Sequence, residues 1–151
     1  MVTFSLLWNN HIGRGYVCDQ SVFGNQCAMR MGKALEDSGL SLTGLRRCTA
    51  YSSRFRSHTP GHILSAQELA NVFYRNPTLL GPGIRKRIFT GSIDDNISSL
   101  RGKRGMVFIM NGWGNTDHID VWDGINMQMK GSSDTTDYRR RGEQVWFWEL
   151  Q

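Results

Sequence analysis

The chain has 151 residues, a formal net charge of +5 and a sequence pI of about 9.4. Its length and its hydrophobic content of 39% predict a single folded domain over residues 1–151 and exclude a chain that is disordered throughout. Its apolar runs are shorter than the roughly 18 residues that cross a bilayer, so no transmembrane segment is expected.

Much of the positive charge lies in three short clusters, at residues 85–87, 101–104 and 139–141. Basic clusters suit an anionic partner, such as nucleic acid or a cell-wall polymer. Nucleic-acid binding would be supported by a helix-turn-helix, zinc-finger or RNP-type pattern, and the sequence has none of these. We therefore expect no nucleic-acid partner and interpret the clusters as solvated loop charge.

Residues 2–8 are apolar, but no basic region precedes them and the polar residues 9–11 follow. A secretory signal has a basic region ahead of its apolar segment. We therefore expect no signal peptide, and a destination outside the cytoplasm would require another export route.

Two helices are predicted in the N-terminal half. The first is capped by Asn25 and ends near Gly39, and its apolar face carries Ala28, Met31 and Leu35. The second follows a capping box at residues 65–68. The segment between them, residues 44–61, is compatible with a loop or with a short strand.

The C-terminal half has the pattern of antiparallel strands. Residues 106–110 form a continuous apolar run, which is typical of a central strand covered on both faces. Residues 118–122 alternate, and Asp123-Gly124 predicts a hairpin that leads into residues 125–129. Residues 145–148 predict a last, aromatic strand. Helices followed by an antiparallel meander indicate an α+β fold.

Cys27 is the leading candidate for a catalytic residue. It lies in the first turn of the first predicted helix, where unpaired backbone N–H groups favour a negative charge. The thiolate is the nucleophilic form of cysteine, and the backbone N–H of Cys27 is a candidate oxyanion donor. The same pattern also fits a small apolar residue in the core.

The other two cysteines, Cys18 and Cys48, leave two interpretations open. They could form a disulfide if the protein enters an oxidising compartment. The sequence does not establish that pairing, and we expect two buried thiols.

A thiol nucleophile needs a base, and the base needs a third group that orients it. His118 begins a strand after a loop rich in glycine and asparagine, as expected for a base at the mouth of a cleft. His11 has no periodic context, and His58 and His62 flank the turn signal Pro60-Gly61. A strand-end histidine with a structural role is the alternative for His118.

Two motifs resemble those of the type VI secretion amidase effector family, group 4. They are Asn-Gln-Cys-Ala-Met-Arg-Met at residues 25–31 and Asp-His-Ile-Asp-Val-Trp-Asp-Gly at residues 117–124. Further matches follow the family's order over nearly the whole chain, at residues 4–8, 100–105, 111–113 and 145–148. In this resemblance Cys27 matches the nucleophile and His118 matches the base.

The resemblance implies an NlpC/P60-like (papain-like) cysteine peptidase fold, with a nucleophile-bearing helix packed on an antiparallel sheet. It implies hydrolysis of the bond between γ-D-glutamate and meso-diaminopimelate in peptidoglycan stem peptides, and we assign no cofactor or metal. It also implies an antibacterial toxin that a type VI secretion apparatus carries from the producer's cytoplasm into a rival's periplasm. A cognate immunity protein would block the active site.

Three other functions fit the sequence. A housekeeping NlpC/P60-type wall hydrolase would normally have a signal peptide or wall-binding repeats. A related amidase could instead cleave the D-alanyl–diaminopimelate cross-link. A catalytically impaired homologue could act as a basic binding module.

The third catalytic residue is where the chain departs from the family. The family has an aspartate about eleven residues after the histidine, whereas this chain has Met129 there. Asp120 is the first candidate for the role, because residues two apart on a strand point to the same face. Gln128 is the second candidate, and Asp134 would serve only if the hairpin were longer. Asp120 could equally be a carboxylate that stabilises the hairpin.

Overall fold

The structure is a computed structural model, and it describes residues 1–48 and 61–151. Its helices are α1 (Phe4–Asn10), α2 (Cys27–Asp37), α3 (Ala66–Arg75), α4 (Ile97–Leu100) and α5 (Thr135–Tyr138). Its strands are β1 (Lys86–Thr90), β2 (Arg104–Trp113), β3 (Thr116–Asp123), β4 (Gln128–Met129) and β5 (Gln144–Glu149). They form one antiparallel sheet in the order β1-β5-β2-β3-β4. The α+β prediction is confirmed.

Strand β2 lies at the centre of the sheet, between β5 and β3. Met106 and Phe108 belong to one hydrophobic cluster, whereas Val107 and Ile109 belong to another. Because successive side chains of a strand point to opposite faces, both faces of β2 are covered. This arrangement explains the continuous apolar run and confirms the central strand predicted there.

Helix α2 begins one residue later than the predicted cap requires. Gln26, not Asn25, occupies the N-cap position, and its side chain makes no capping bond. The Gln26 amide is instead buried and bonded to the backbone of Val17, Cys18 and Phe23. Asn25 still contributes, because its Oδ1 accepts a hydrogen bond from the Cys27 N–H at 3.2 Å.

The second predicted helix is α3, and its capping residue is confirmed. The Ser65 hydroxyl accepts a hydrogen bond from the backbone N–H of Glu68 at 3.2 Å. Ahead of it, Arg47 and Ile63 form an isolated antiparallel bridge. Residues 49–60 of the ambiguous segment, including His58, lie outside the described residues.

Four elements were not predicted, namely α1, α4, α5 and β1, and the sequence signals of α1 and β1 are weak. The apolar N-terminal segment forms α1, whose Phe4 and Leu7 are buried, but seven residues are too few for a clear helical period. Strand β1 lies at the sheet edge and carries the exposed basic residues Lys86 and Arg87. Lysine and arginine on an edge strand discourage pairing with other chains. No helix among the described residues has the length and apolar character needed to cross a bilayer.

Part of the basic charge is paired rather than simply solvated. In the 139–141 cluster, Arg139 contacts Asp94 and Arg141 contacts Asp137, each at 2.8 Å. The first pair connects the segment after α5 to Asp94, and the second connects it back to α5. The interpretation of this cluster as solvated loop charge is therefore wrong for two of its three arginines.

We expect Gly105→Ala to destabilise the fold. A Cβ at this position would lie 2.0 Å from the backbone carbonyl oxygen of Trp148, so β5 would have to move away from β2. The expected loss in the free energy of unfolding is at least about 2 kcal/mol, measured by urea denaturation. Gly24→Ala is the control, because no heavy atom lies within 4 Å of its added Cβ. Equal stability of the two variants would contradict this account of the sheet.

Candidate active site

Cys27 lies where the start of α2 meets the start of β3. It is the first residue of α2, and its Sγ lies 3.9 Å from the carbonyl oxygen of Asp117 in β3. Ala28 and Met31 of α2 share a hydrophobic cluster with Ile119 and Val121 of β3, which holds the helix on the strand. Cys27 is 5% exposed, and it lines the cleft described below.

The His118 imidazole bridges the thiol and a carboxylate. Its Nε2 lies 2.8 Å from Oδ2 of Asp120, and the Cys27 side chain is near enough to raise the pKa of the ring. Because Nε2 faces Asp120, Nδ1 is the ring nitrogen left for the thiol. The three side chains therefore form a continuous row from Cys27 to Asp120.

This row sets the charge of His118. Burial lowers the pKa of the imidazole, but the hydrogen bonds and negative charges of Asp120 and Cys27 outweigh burial and raise the pKa to about 10. His118 is therefore protonated at neutral pH, and both of its ring nitrogens are then donors. A protonated imidazole beside a cysteine stabilises the thiolate, which is the reactive form.

Asp120 is fully buried and its carboxylate is held by backbone donors. Its Oδ1 accepts hydrogen bonds from the N–H groups of Val121 and Gly131, each at 2.8 Å. Gly131 can approach so closely because it has no Cβ. An added Cβ would lie 2.9 Å from Cε1 of His11 and 3.3 Å from Oδ1 of Asp120.

His11 is a neighbour of the site that the sequence did not reveal. Its Nε2 lies 3.9 Å from Oδ1 of Asp120, and its Nδ1 accepts a hydrogen bond from the N–H of Gly13. Burial lowers the pKa of His11 to about 4, and the charge of Asp120 only partly opposes this. His11 is therefore neutral near pH 7, while His118 on the other side of the same carboxylate is charged.

The other two candidates for the third position lie elsewhere. Gln128 is exposed in β4 and pairs with Asp123. Asp134 is exposed and caps α5, because its Oδ1 accepts a hydrogen bond from the N–H of Asp137. Of the three candidates, Asp120 is the one that contacts His118.

The cleft beside the row has two halves that share the residues Asn25, Thr116 and Asp117. Cys27 lines the first half, of about 110 Å³, and His118 lines the second, of about 210 Å³. Trp113 and Tyr138 form an aromatic wall around His118, and the Tyr138 and His118 ring centroids are 4.8 Å apart.

Two further cavities lie outside this cleft. One, of about 450 Å³, is also lined by Tyr138, together with Arg14, Tyr16, Arg30, Gly131 and Ser133. The other, of about 740 Å³, is lined by residues 82–87 and 149–151, and neither Cys27 nor His118 contributes to it. The cavity of about 740 Å³ is therefore not the candidate active site, although it is larger than the cleft.

Cys18 and Cys48 lie close together, away from the Cys27 cleft. Both are buried, and their Sγ atoms are 3.7 Å apart, which is too far for a disulfide bond. Neither residue lines the cleft between Cys27 and His118.

Comparison with known proteins identifies a family. The family described as type VI secretion system amidase effector protein 4 matches residues 23–148. None of the curated protein sequences matches the chain.

Solved structures are similar in fold along the whole chain. The effector Tae4 from Salmonella typhimurium, crystallised with the immunity protein Tai4 from Enterobacter cloacae, is 16% identical, with 100% of both chains covered and a TM-score of 0.67. The effector Tae4 from Enterobacter cloacae is 18% identical, with 100% of this chain and 98% of that chain covered and a TM-score of 0.65.

The structural similarity shows the fold, and the family match shows the class of protein. Because the match extends over residues 23–148, the chain belongs to the type VI secretion system amidase effector protein 4 family, whose members are peptidoglycan-degrading toxins.

Proposed function

We propose that residues 1–151 form one NlpC/P60-like cysteine amidase domain that hydrolyses the γ-D-glutamyl–meso-diaminopimelate bond of peptidoglycan stem peptides. Cys27 is the nucleophile, His118 is the general acid and base, and Asp120 orients His118. The observation that carries this proposal is the row of Cys27, His118 and Asp120 beside an open cleft.

The mechanism begins with the Cys27 thiolate beside a protonated His118. The thiolate attacks the scissile carbonyl carbon, and His118 then donates its Nδ1 proton to the leaving amine. The neutral imidazole next accepts a proton from water, and the resulting hydroxide hydrolyses the thioester. Asp120 stabilises the imidazolium form at both stages.

A negative charge develops on the carbonyl oxygen during attack. The Cys27 N–H at the start of α2 is the candidate donor to this oxygen. That N–H donates to Asn25 at 3.2 Å, a long hydrogen bond that a substrate oxyanion can replace.

The charge beside the cleft supports the choice of bond. Arg14 and Arg30 line the neighbouring cavity, where the Arg30 guanidinium also donates to the carbonyl oxygens of Gly15 and Arg14. A γ-linked glutamate keeps a free α-carboxylate next to the scissile amide, whereas the alanine of the D-alanyl cross-link has none on that side. Guanidinium groups bind carboxylates with two parallel hydrogen bonds, so this cavity favours the glutamyl bond.

The proposal also includes delivery and protection. A type VI secretion apparatus would carry the protein from the producer into the periplasm of a target cell, where its substrate lies. Related effectors have been crystallised with Tai4 immunity proteins. By analogy, a cognate immunity protein would cover the Cys27–His118 cleft in the producer.

Removing the nucleophile or the base should abolish hydrolysis of purified sacculi. We expect Cys27→Ala to reduce the release of soluble fragments to background and His118→Ala to reduce it by at least about 100-fold. Gln128→Ala is the control, because this exposed side chain lies away from His118. Full activity of a folded Cys27→Ala or His118→Ala variant would show that the mechanism is wrong.

The bond is identified by the masses and new termini of the products. Cleavage of the glutamyl bond leaves a disaccharide dipeptide that ends in glutamate and frees the amine of diaminopimelate. Uncrosslinked tetrapeptide monomers would instead indicate cleavage of the D-alanyl–diaminopimelate cross-link. Undigested sacculi that retain the protein in a salt-dependent manner would support a binding module.

Asp120→Asn should impair catalysis and change its pH dependence. The asparagine Oδ1 keeps its two backbone donors, so its Nδ2 group faces Nε2 of His118 and donates to it. The neutral ring then carries its proton on Nδ1, and Nδ1 can no longer accept the proton of the Cys27 thiol. The expected loss in kcat/KM is about 10²–10⁴-fold at pH 7. Because the Asp120 charge raises the His118 pKa and burial lowers it, the alkaline limb should move from about 10 towards neutral pH.

Asp134→Asn is the matched control for this substitution. Asparagine caps helices as well as aspartate does, so α5 and the activity should be unchanged. An Asp120→Asn variant with the wild-type alkaline limb would contradict the role assigned to Asp120.

A further inference from the structure

Three buried side chains with metal-binding chemistry converge outside the catalytic row. Cys18, Cys48 and His62 are 0%, 3% and 8% exposed, and their sulfur and ring-nitrogen atoms lie within 4.8 Å of one another. The two Sγ atoms are 3.7 Å apart, and Nδ1 of His62 lies 3.9 Å from Sγ of Cys48. The mechanism above uses none of these groups.

The distances match those of a tetrahedral ion better than those of a disulfide. Two thiolates on one Zn²⁺, each at about 2.3 Å, lie about 3.8 Å apart. A disulfide requires the sulfur atoms to approach to about 2.05 Å and gives His62 no part in the cluster. Two sulfur ligands and an imidazole are also the donor set that Zn²⁺ prefers.

We propose that Cys18, Cys48 and His62 bind one Zn²⁺ ion. Two thiolates and a neutral imidazole balance the charge of the ion, so the assembled group is neutral and suits a buried position. The backbone N–H of His62 donates to Sγ of Cys48 at 3.2 Å and orients this ligand. Three protein ligands leave one tetrahedral position for water or a further donor.

The ion would link Cys18, in the segment before α2, to Cys48 and His62, which lie next to the bridge between Arg47 and Ile63. The backbone N–H of Cys48 donates to the carbonyl oxygen of His62 at 2.8 Å, so these two ligands are already adjacent. Cys18 is held through its backbone by the Gln26 side chain, which directly precedes Cys27. The site would therefore stabilise the wall of the cleft without taking part in the reaction.

Sequence spacing did not suggest this site. Zinc ligands are recognised in a sequence by close pairs such as Cys-x-x-Cys, whereas these three residues are far apart along the chain. The fold brings them together through the Gln26 contacts and the antiparallel bridge.

The test is the metal content of the full chain carrying Cys27→Ala, purified with a phosphine reductant. We expect about one Zn²⁺ per chain by mass spectrometry of the metal. Cobalt(II) added to the chelator-treated protein should give thiolate-to-metal charge transfer and the intense visible bands of tetrahedral cobalt. Cys18→Ser in the same background should weaken Zn²⁺ binding at least about 100-fold in chelator competition.

Two outcomes would overturn the proposal. The first is a zinc content below about 0.1 Zn²⁺ per chain together with no tetrahedral cobalt spectrum. The second is a Cys18–Cys48 disulfide in peptide mass spectra of the oxidised protein, together with failure of the reduced protein to bind metal. The cobalt spectrum of the parent protein decides the question even if Cys18→Ser does not fold. Because the protein tested is the Cys27→Ala variant, its metal content does not depend on whether the proposed hydrolysis is correct.

Discussion

The site depends on one buried negative charge, the carboxylate of Asp120. A carboxylate at zero exposure is stable only if its oxygen atoms are hydrogen-bonded and its charge is compensated. The N–H groups of Val121 and Gly131 bind Oδ1, and the protonated His118 binds Oδ2. Removing one partner of such a buried pair typically costs about 3–5 kcal/mol, so the charge state of His118 is tied to the stability of the sheet.

The surrounding fold brings the other partners to this charge. β3 places His118 and Asp120 on one face, and the chain after β4 returns Gly131 to Asp120 without a Cβ in the way. α2 brings Cys27 to the start of the same strand, and the Gln26 side chain fixes the segment before it. The proposed nucleophile, base and orienting carboxylate therefore come from two elements packed directly against each other.

Local patterns in the sequence predicted the elements with strong periodicity or capping. The apolar run at residues 106–110, the capping box at Ser65 and the alternation at residues 118–122 each correspond to an observed element. α1 and β1 were missed because one is short and the other is basic at the sheet edge. The N-cap of α2 is Gln26, whose side chain bonds to the backbone of Val17, Cys18 and Phe23 in the segment just before it, and no capping pattern encodes these contacts.

The candidate site was predictable where local patterns mark its residues. Cys27 is marked by its place at the start of a predicted helix, and His118 and Asp120 by a shared strand motif. His118 and Asp120 are two residues apart on one strand, so a strand prediction places them together. His11 and Gly131 approach Asp120 through long-range folding, and no spacing rule connects them. The same reason hid the cluster of Cys18, Cys48 and His62.

The most direct test of the central claim is the titration of the histidine side chains by NMR in the intact protein. The Asp120 charge predicts that His118 remains protonated at pH 8 and titrates near pH 10, while His11 remains neutral until about pH 4. Titration of His118 at or below its ordinary value of 6.5 would mean that Asp120 does not hold a charged imidazole. That result would contradict the proposed pairing of His118 with Cys27 and Asp120.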